Sequence, residues 1–217
     1  MLYQNSINSF EGEIMEYLSS LLISRMIIAD VISRDEAEQY KYDVQVLFER
    51  IISYSIIIVL ALLFDVLWKV LLFFISFSLL RTFAGGYHCK SYLGCLVLSS
   101  FVSLSGCFIY PLICKSYLTY QGGVIISMII VIIIGSINNS NIHWSSSEYA
   151  KTKSLTRLLI TMEGLTLILL ELFHTPFSIS FFISYGIVAC AISMLVEIRK
   201  RGGQVYENCG EKTVECD

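Results

Sequence analysis

The chain alternates long apolar blocks with short polar breaks, and the breaks carry most of the charge. From Ile51 to Leu80 the only charged residues are Asp65 and Lys69. One span needs ~20 residues, so this block is too long for a single crossing and short for two. If the first span starts near Val44, two fit, with a tight turn at Asp65–Lys69 that no Gly or Pro marks. Apolar runs then recur at Tyr92–Ile113, Gly122–Ile137, Leu155–Phe173 and Phe177–Val196, separated by Cys114–Gln121, the polar loop Asn138–Ser154 and the Thr175-Pro176 turn. The pattern predicts an all-α, polytopic integral membrane bundle of about six transmembrane or partly re-entrant helices. A four-span core with two shallower segments is the alternative, because Gly122–Ile137 is short.

Ahead of the spans, residues 8–28 read as an amphipathic helix. Asn8 and Glu11 form a capping pair, and Ile14, Leu18, Leu21, Leu22 and Ile28 gather on one side. Its acidic start favours packing on protein over adhesion to anionic lipid. Ser33 and Glu36 cap a second helix, whose Ala37, Tyr40, Val44, Leu47, Phe48 and Ile51 repeat at helical spacing and run without a break into the first span. Residues 1–217 are thus expected to form one membrane domain. It has an interfacial N-terminal region over 1–43, a transmembrane bundle over 44–196 and a polar tail over 197–217.

Composition agrees. The chain is 55% hydrophobic and 15% charged with a mean hydropathy of +0.69, whereas a soluble domain carries about a quarter charged residues. Only two prolines and nearly unbroken apolar runs argue against a β-barrel. A net charge of −3 gives no basic surface for nucleic acid. The seven cysteines form no CxxC pair, and no disulfide network is expected. The first forty residues lack the basic start and apolar core of a signal peptide, so the first span is expected to act as its own insertion signal.

Loop charges set an orientation. With six spans and a cytosolic N-terminus, thirteen Lys and Arg fall inside and only Lys69 and Lys115 outside. Both termini and the Arg81–Lys90 segment are then expected on the cytosolic face.

That segment concentrates the candidate chemistry. Arg81-Thr82-Phe83-Ala84-Gly85-Gly86-Tyr87-His88 is followed by Cys95, seven residues after the histidine. An imidazole can generate and hold a thiolate, so His88 and Cys95 can serve as base and nucleophile; packing roles are the competing reading. On one continuous helix seven residues rise ~10 Å, too far for a side-chain hydrogen bond. The pair therefore requires a break at Gly85-Gly86 and a new helix from near Ser91, with Cys95 in its first turns, where the dipole favours a thiolate. Arg81 can orient a substrate carbonyl or donate to an oxyanion, or it can snorkel at the membrane edge. Adjacent ligands at His88 and Cys89 do not converge on a metal with Cys95, and neither metal nor cofactor is expected.

Lys151, Lys153 and Arg157 form a basic patch that can steer an acidic substrate tail or simply mark the inner face. Glu163 and Glu171 lie in the fifth predicted span, within about 80° of each other on a helix, and suggest an intramembrane polar site.

The pattern Arg81-x-Phe83-Ala84-Gly85-Gly86-Tyr87-His88 with Cys95 resembles the AgrB family, the accessory gene regulator membrane cysteine endopeptidases of Gram-positive bacteria. The likeness covers nearly the whole chain, although the loop at Ile137–His143 lacks the proline common in the family. It implies catalysis by Cys95 and His88, supported by Arg81, Gly85 and Gly86, in a multi-pass protein of the bacterial cell membrane. It further implies an AgrD-like quorum-sensing precursor peptide as partner, cut through a Cys acyl-enzyme and closed to a thiolactone or lactone. A homodimer is compatible with the resemblance. The reading from another class is a non-enzymatic peptide exporter or transporter subunit; no internal repeat or nucleotide-binding loop supports it.

Overall fold

The computed structural model describes residues 17, 19–29, 31–33, 37–87, 89, 92–137 and 146–200. The described chain is helical: α1 (Ser19–Ile28), α2 (Ala37–Leu63), α3 (Leu67–Ala84), α4 (Tyr92–Ile113), α5 (Tyr117–Ile134), α6 (Ser146–Leu172) and α7 (Phe177–Lys200), with no strand among the described residues. Among these residues four helices are long and apolar enough to cross a membrane: α3, α4 from Leu93, α5 and α7. Their outward faces, with Trp68, Phe101, Phe108, Leu118 and Ile133 exposed, suit a lipid surround. The chain has the build of a membrane protein. α2 and α6, each of 27 residues, are also of spanning length, but α2 carries Glu49 and Arg50, and α6 carries Arg157, Glu163 and Glu171.

Two compact units divide the chain. The first comprises residues 1–63 and 89–100. Within it Ser19, Ile23, Ile57 and Ala61 are buried, and the Ser53 hydroxyl donates to the Glu49 carbonyl one turn back at 2.8 Å, so this polar group is satisfied inside its own helix. The second comprises residues 64–88 and 101–217, and α7 is its centre. Ser180, Ser184, Ile187, Ala191 and Met194 recur at alternating spacings of four and three, a stripe that stays on one side of a helix. α3 answers with Val70, Phe73, Ser76, Leu80 and Ala84 at spacings of three, three, four and four.

Lipid tails are as apolar as leucine, so burial alone gives such helices little reason to associate; close packing and internal hydrogen bonds do. Small residues let α3 and α7 approach. A Cβ on Gly186 would lie 2.7 Å from Ser76 Oγ and 2.9 Å from the Phe77 backbone nitrogen. Ser76 Oγ in turn lies 2.9 Å from the Ile183 carbonyl and 2.9 Å from Glu163 Oε2. Gly186→Val is therefore expected to force the two helices apart, costing about 1–3 kcal/mol. A lowered melting temperature in detergent is the readout. Gly123→Val, at a position with nothing within 4 Å, should leave it unchanged, and equal melting of both variants would refute the close-packing account. At the other end Phe73, Phe181 and Phe182 form an aromatic cluster with Tyr110 and Tyr185, and Tyr120 Oη is 2.7 Å from Ser184 Oγ.

Several boundaries differ from those the hydropathy predicts. The α2–α3 turn falls at Phe64–Val66, and Asp65 takes φ 53, a region that glycine usually fills. Short polar side chains tolerate that region better than most. α5 starts at Tyr117 rather than Gly122 and reaches 18 residues, which lengthens the segment that read as short. α6 starts at Ser146, so Lys151 and Lys153 stand on a helix and not in a loop running to Ser154. The first capping pair and much of the helix expected over 8–28 lie outside the described residues, as do Glu36 and the tail after Lys200.

Candidate functional site

α3 ends in a bend that only glycine accommodates without strain. Gly85 has φ 72 and ψ −154, a region essentially closed to side-chain-bearing residues, and Gly86 follows with φ 130. The last carbonyls of the helix need partners once the helix stops. The Gly85 N–H donates back to the Arg81 carbonyl at 3.2 Å. The Phe83 and Ala84 carbonyls are met by the segment that follows α5. Ser136 Oγ donates to Phe83 O at 2.8 Å, and the Ile137 N–H donates to Ala84 O at 2.9 Å. Tyr149 on α6 holds that segment in place by donating to Ser136 O at 3.0 Å.

After the bend, Tyr87 is gripped from both sides. Its N–H donates to the Ser193 carbonyl and to Ser193 Oγ on α7, each at 3.1 Å. Its carbonyl accepts from Arg81 Nη2. Lys200 Nζ stands 5.0 Å above the Tyr87 ring. Gly86 is as confined: a Cβ there would run into the Arg81 guanidinium and lie 2.6 Å from Ser193 Oγ. Arg81, Gly85 and Gly86, singled out in the sequence, are thus one constellation. The guanidinium fixes the backbone of its own motif. Ser193 and Ser136 were missed, because a lone serine in an apolar span carries no mark of a partner 106 or 53 residues away.

The break between the two halves of the motif is present as expected. α3 stops at Ala84, and α4 begins at Tyr92, one residue after the expected Ser91. Cys95 occupies the first turn of α4, in the first unit, and is half-buried, as is Cys89. His88 lies outside the described residues, as does His143. No disulfide joins the described cysteines.

The basic trio is divided. Arg157 Nε donates to the Ile132 carbonyl at 3.1 Å, and Lys153 packs against Gly135, where a Cβ would lie 2.5 Å from Lys153 Cγ. Both cations therefore sit at the C-terminal end of α5, where the helix dipole favours positive charge. Lys151 is exposed, about 200° round α6 from Lys153. The two acids have different partners as well. Glu163 turns inward to Ser76, and among the described residues its Oε1 has no hydrogen-bond partner. Glu171 is exposed and accepts from Tyr117 Oη at 2.7 Å. Among the described residues no cluster of His, Cys, Asp or Glu has the arrangement of a metal site.

No curated protein and no solved structure matches the chain. A family model does, that of accessory gene regulator B, over residues 13–195. The match takes in α3, the glycine bend, His88, Cys95 and nearly all of α7. The chain belongs to the AgrB family, accessory gene regulator B.

Proposed function

We propose that this chain is a membrane-embedded cysteine endopeptidase that cuts the C-terminal part from a signalling-peptide precursor. Family membership puts the chain in the accessory gene regulator system. The observation that carries the finer reading is the position of Cys95, in the first turn of a helix that restarts after a glycine bend, inside the matched region. A helix N-terminus favours the thiolate form.

In this reading His88 takes the Cys95 proton and the thiolate attacks a precursor carbonyl. The amine of the C-terminal fragment leaves with the proton that His88 returns, and a thioester remains on Cys95. A cysteine or serine within the bound fragment then attacks the thioester, closing a thiolactone or lactone and freeing the thiol. Exclusion of water favours the ring over the hydrolysed acid. Arg81 and the glycine pair support this chemistry by shaping the bend. Lys151 and Arg157, both exposed, are the members of the basic trio suited to meeting an acidic precursor tail. The loop charges support a cytosolic site with both termini inside.

The test is to trap the intermediate. The protein is co-expressed with a candidate precursor, a short peptide with a central Cys or Ser and an acidic tail. The sample is quenched in acid, and peptides are mapped by mass spectrometry. A hydroxylamine-labile adduct of the N-terminal precursor fragment on Cys95 is expected. The same adduct on a serine, or on any other cysteine, sinks the assignment.

A further inference from the structure

We propose that Glu163 holds a proton inside the helix bundle, and that this proton latches α6 to the seam between α3 and α7. The latch lies wholly within the second unit and is independent of the peptide chemistry. Glu163 turns inward from α6, and its Oε2 lies 2.9 Å from Ser76 Oγ on α3. The same serine oxygen lies 2.9 Å from the Ile183 carbonyl on α7. Ser76 is 4% exposed, so both contacts lie away from solvent.

A hydroxyl has one proton to donate. If Glu163 is ionised, that proton goes to the carboxylate, and no hydrogen stands between Ser76 Oγ and the Ile183 carbonyl. A protonated Glu163 satisfies both contacts: its O–H donates to Ser76 Oγ, and Ser76 donates to the Ile183 carbonyl. The relay then runs from α6 through α3 to α7 with every proton placed. The other carboxyl oxygen leads the same way. Oε1 is buried and has no hydrogen-bond partner among the described residues. A neutral carbonyl oxygen tolerates that far better than half of a carboxylate does, because burying an ion costs much more than burying a dipole.

The helices packed around Glu163 bring few ionisable groups to it. At this level α3 offers Ser76, and α5 offers Met128, which a Cβ on Gly164 would run into. α7 offers Cys190, fully buried and within electrostatic reach of both Glu163 and Arg81. Arg81 lies five residues beyond Ser76 on α3, with its guanidinium bonded to the Tyr87 carbonyl. Gly186 lets α7 come close enough for the relay, since a Cβ there would lie 2.7 Å from Ser76 Oγ. Loss of the proton would draw the Ser76 hydrogen to Glu163 and cut the tie to α7. Hydrogen bonds between helices are among the few forces that hold them together in lipid, so the latch opens as the proton leaves.

The full chain in detergent micelles is compared with Glu163→Gln, Glu171→Gln and Ser76→Ala. Infrared spectroscopy reads the C=O stretch of a protonated carboxyl, which a carboxylate lacks. At pH 7 wild type is expected to show an acid band that Glu163→Gln removes. Glu171→Gln, which replaces an exposed carboxyl on the same helix, should leave that band in place. Ser76→Ala keeps the acid but deletes the acceptor of its proton, and should shift the band.

Unfolding by SDS in mixed micelles then reads the latch. The folded chain keeps a proton that the unfolded chain gives up. Its stability is therefore greatest at low pH and is lost as pH rises through the range where the band fades. The amide of the Glu163→Gln variant cannot ionise, so it serves as the reference. Above that range the folded-to-unfolded ratio of wild type, relative to Glu163→Gln, should fall about tenfold for each pH unit. If Glu163→Gln removes no acid band, the proposal is overturned. A wild-type ratio that tracks the Glu163→Gln ratio at every pH overturns it as well. Should Glu163→Gln fail to fold, Ser76→Ala decides: a shifted band supports the relay, and an unshifted one places the proton elsewhere.

Discussion

Cys95→Ala is expected to abolish precursor cleavage while the protein remains inserted and folded. A thiol is the only group in the proposed mechanism that can form the thioester, so alanine leaves no slower version of the same route. Its position makes the substitution structurally mild. Cys95 is half-buried in the first turn of α4, and alanine is the best helix former. His88→Ala should behave differently. Loss of a general base lowers the rate by roughly 10²–10⁴-fold, and the thiolate that remains at higher pH should recover part of the activity. The measurement is the amount of cut precursor in cells that co-express each variant, with membrane insertion checked on the same samples. Undiminished processing by an inserted Cys95→Ala protein would remove the nucleophile. Processing by His88→Ala at the wild-type rate would assign the base elsewhere.

The features of the fold and site that are legible in the sequence are those that depend on local chemistry. The helical bundle follows from runs of apolar residues too long and too continuous for strands. The bend was visible because two adjacent glycines close an apolar run, and because seven residues of helix cannot bring His88 and Cys95 together. Helix ends were less legible, since hydropathy marks where lipid begins and not where hydrogen bonding stops. α5 starts before Gly122, as its first turns carry Tyr117, Thr119, Tyr120 and Gln121. Three of those polar groups find partners within the protein: Gln121 Nε2 donates to Tyr117 Oη at 2.8 Å, and Tyr120 Oη is 2.7 Å from Ser184 Oγ.

The same limit applies to the charges. Counting Lys and Arg along the chain assigns a side of the membrane but says nothing of direction around a helix. Lys151, Lys153 and Arg157 read as one patch, whereas two of them meet the end of α5 and the third faces away. Glu163 and Glu171 read as neighbours on one helix, yet Glu163 joins Ser76 of α3 and Glu171 joins Tyr117 of α5. The grip on Tyr87 is the extreme case. It needs a serine on α7 whose only sequence neighbours are apolar span residues, and its significance exists only once α3 and α7 are packed.

Gly85→Ala should show how much of the site depends on the bend itself. Two effects add. The backbone at φ 72 and ψ −154 costs a non-glycine residue on the order of 1–3 kcal/mol. The new Cβ would also lie 2.6 Å from the Ile137 carbonyl oxygen, a backbone atom that cannot rotate aside as a flexible side chain could. Relief requires moving the 135–137 segment away from α3. That motion stretches the Ile137 N–H bond to Ala84 O and the Ser136 bond to Phe83 O, leaving the end of α3 short of two partners. The predicted signature is specific: faster amide exchange at Ile137 and at least a tenfold loss of precursor processing, the loss that ~1.4 kcal/mol of disturbance in the site produces. Gly123→Ala, in an α5 position with nothing within 4 Å, provides the matched control. Wild-type exchange at Ile137 together with wild-type processing in Gly85→Ala would mean that the end of α3 does not need this bend. A variant that exchanges faster at Ile137 but still processes at full rate would separate the two. The loop after α5 would then support the fold of α3, and the chemistry would depend only on the residues from Gly86 onward.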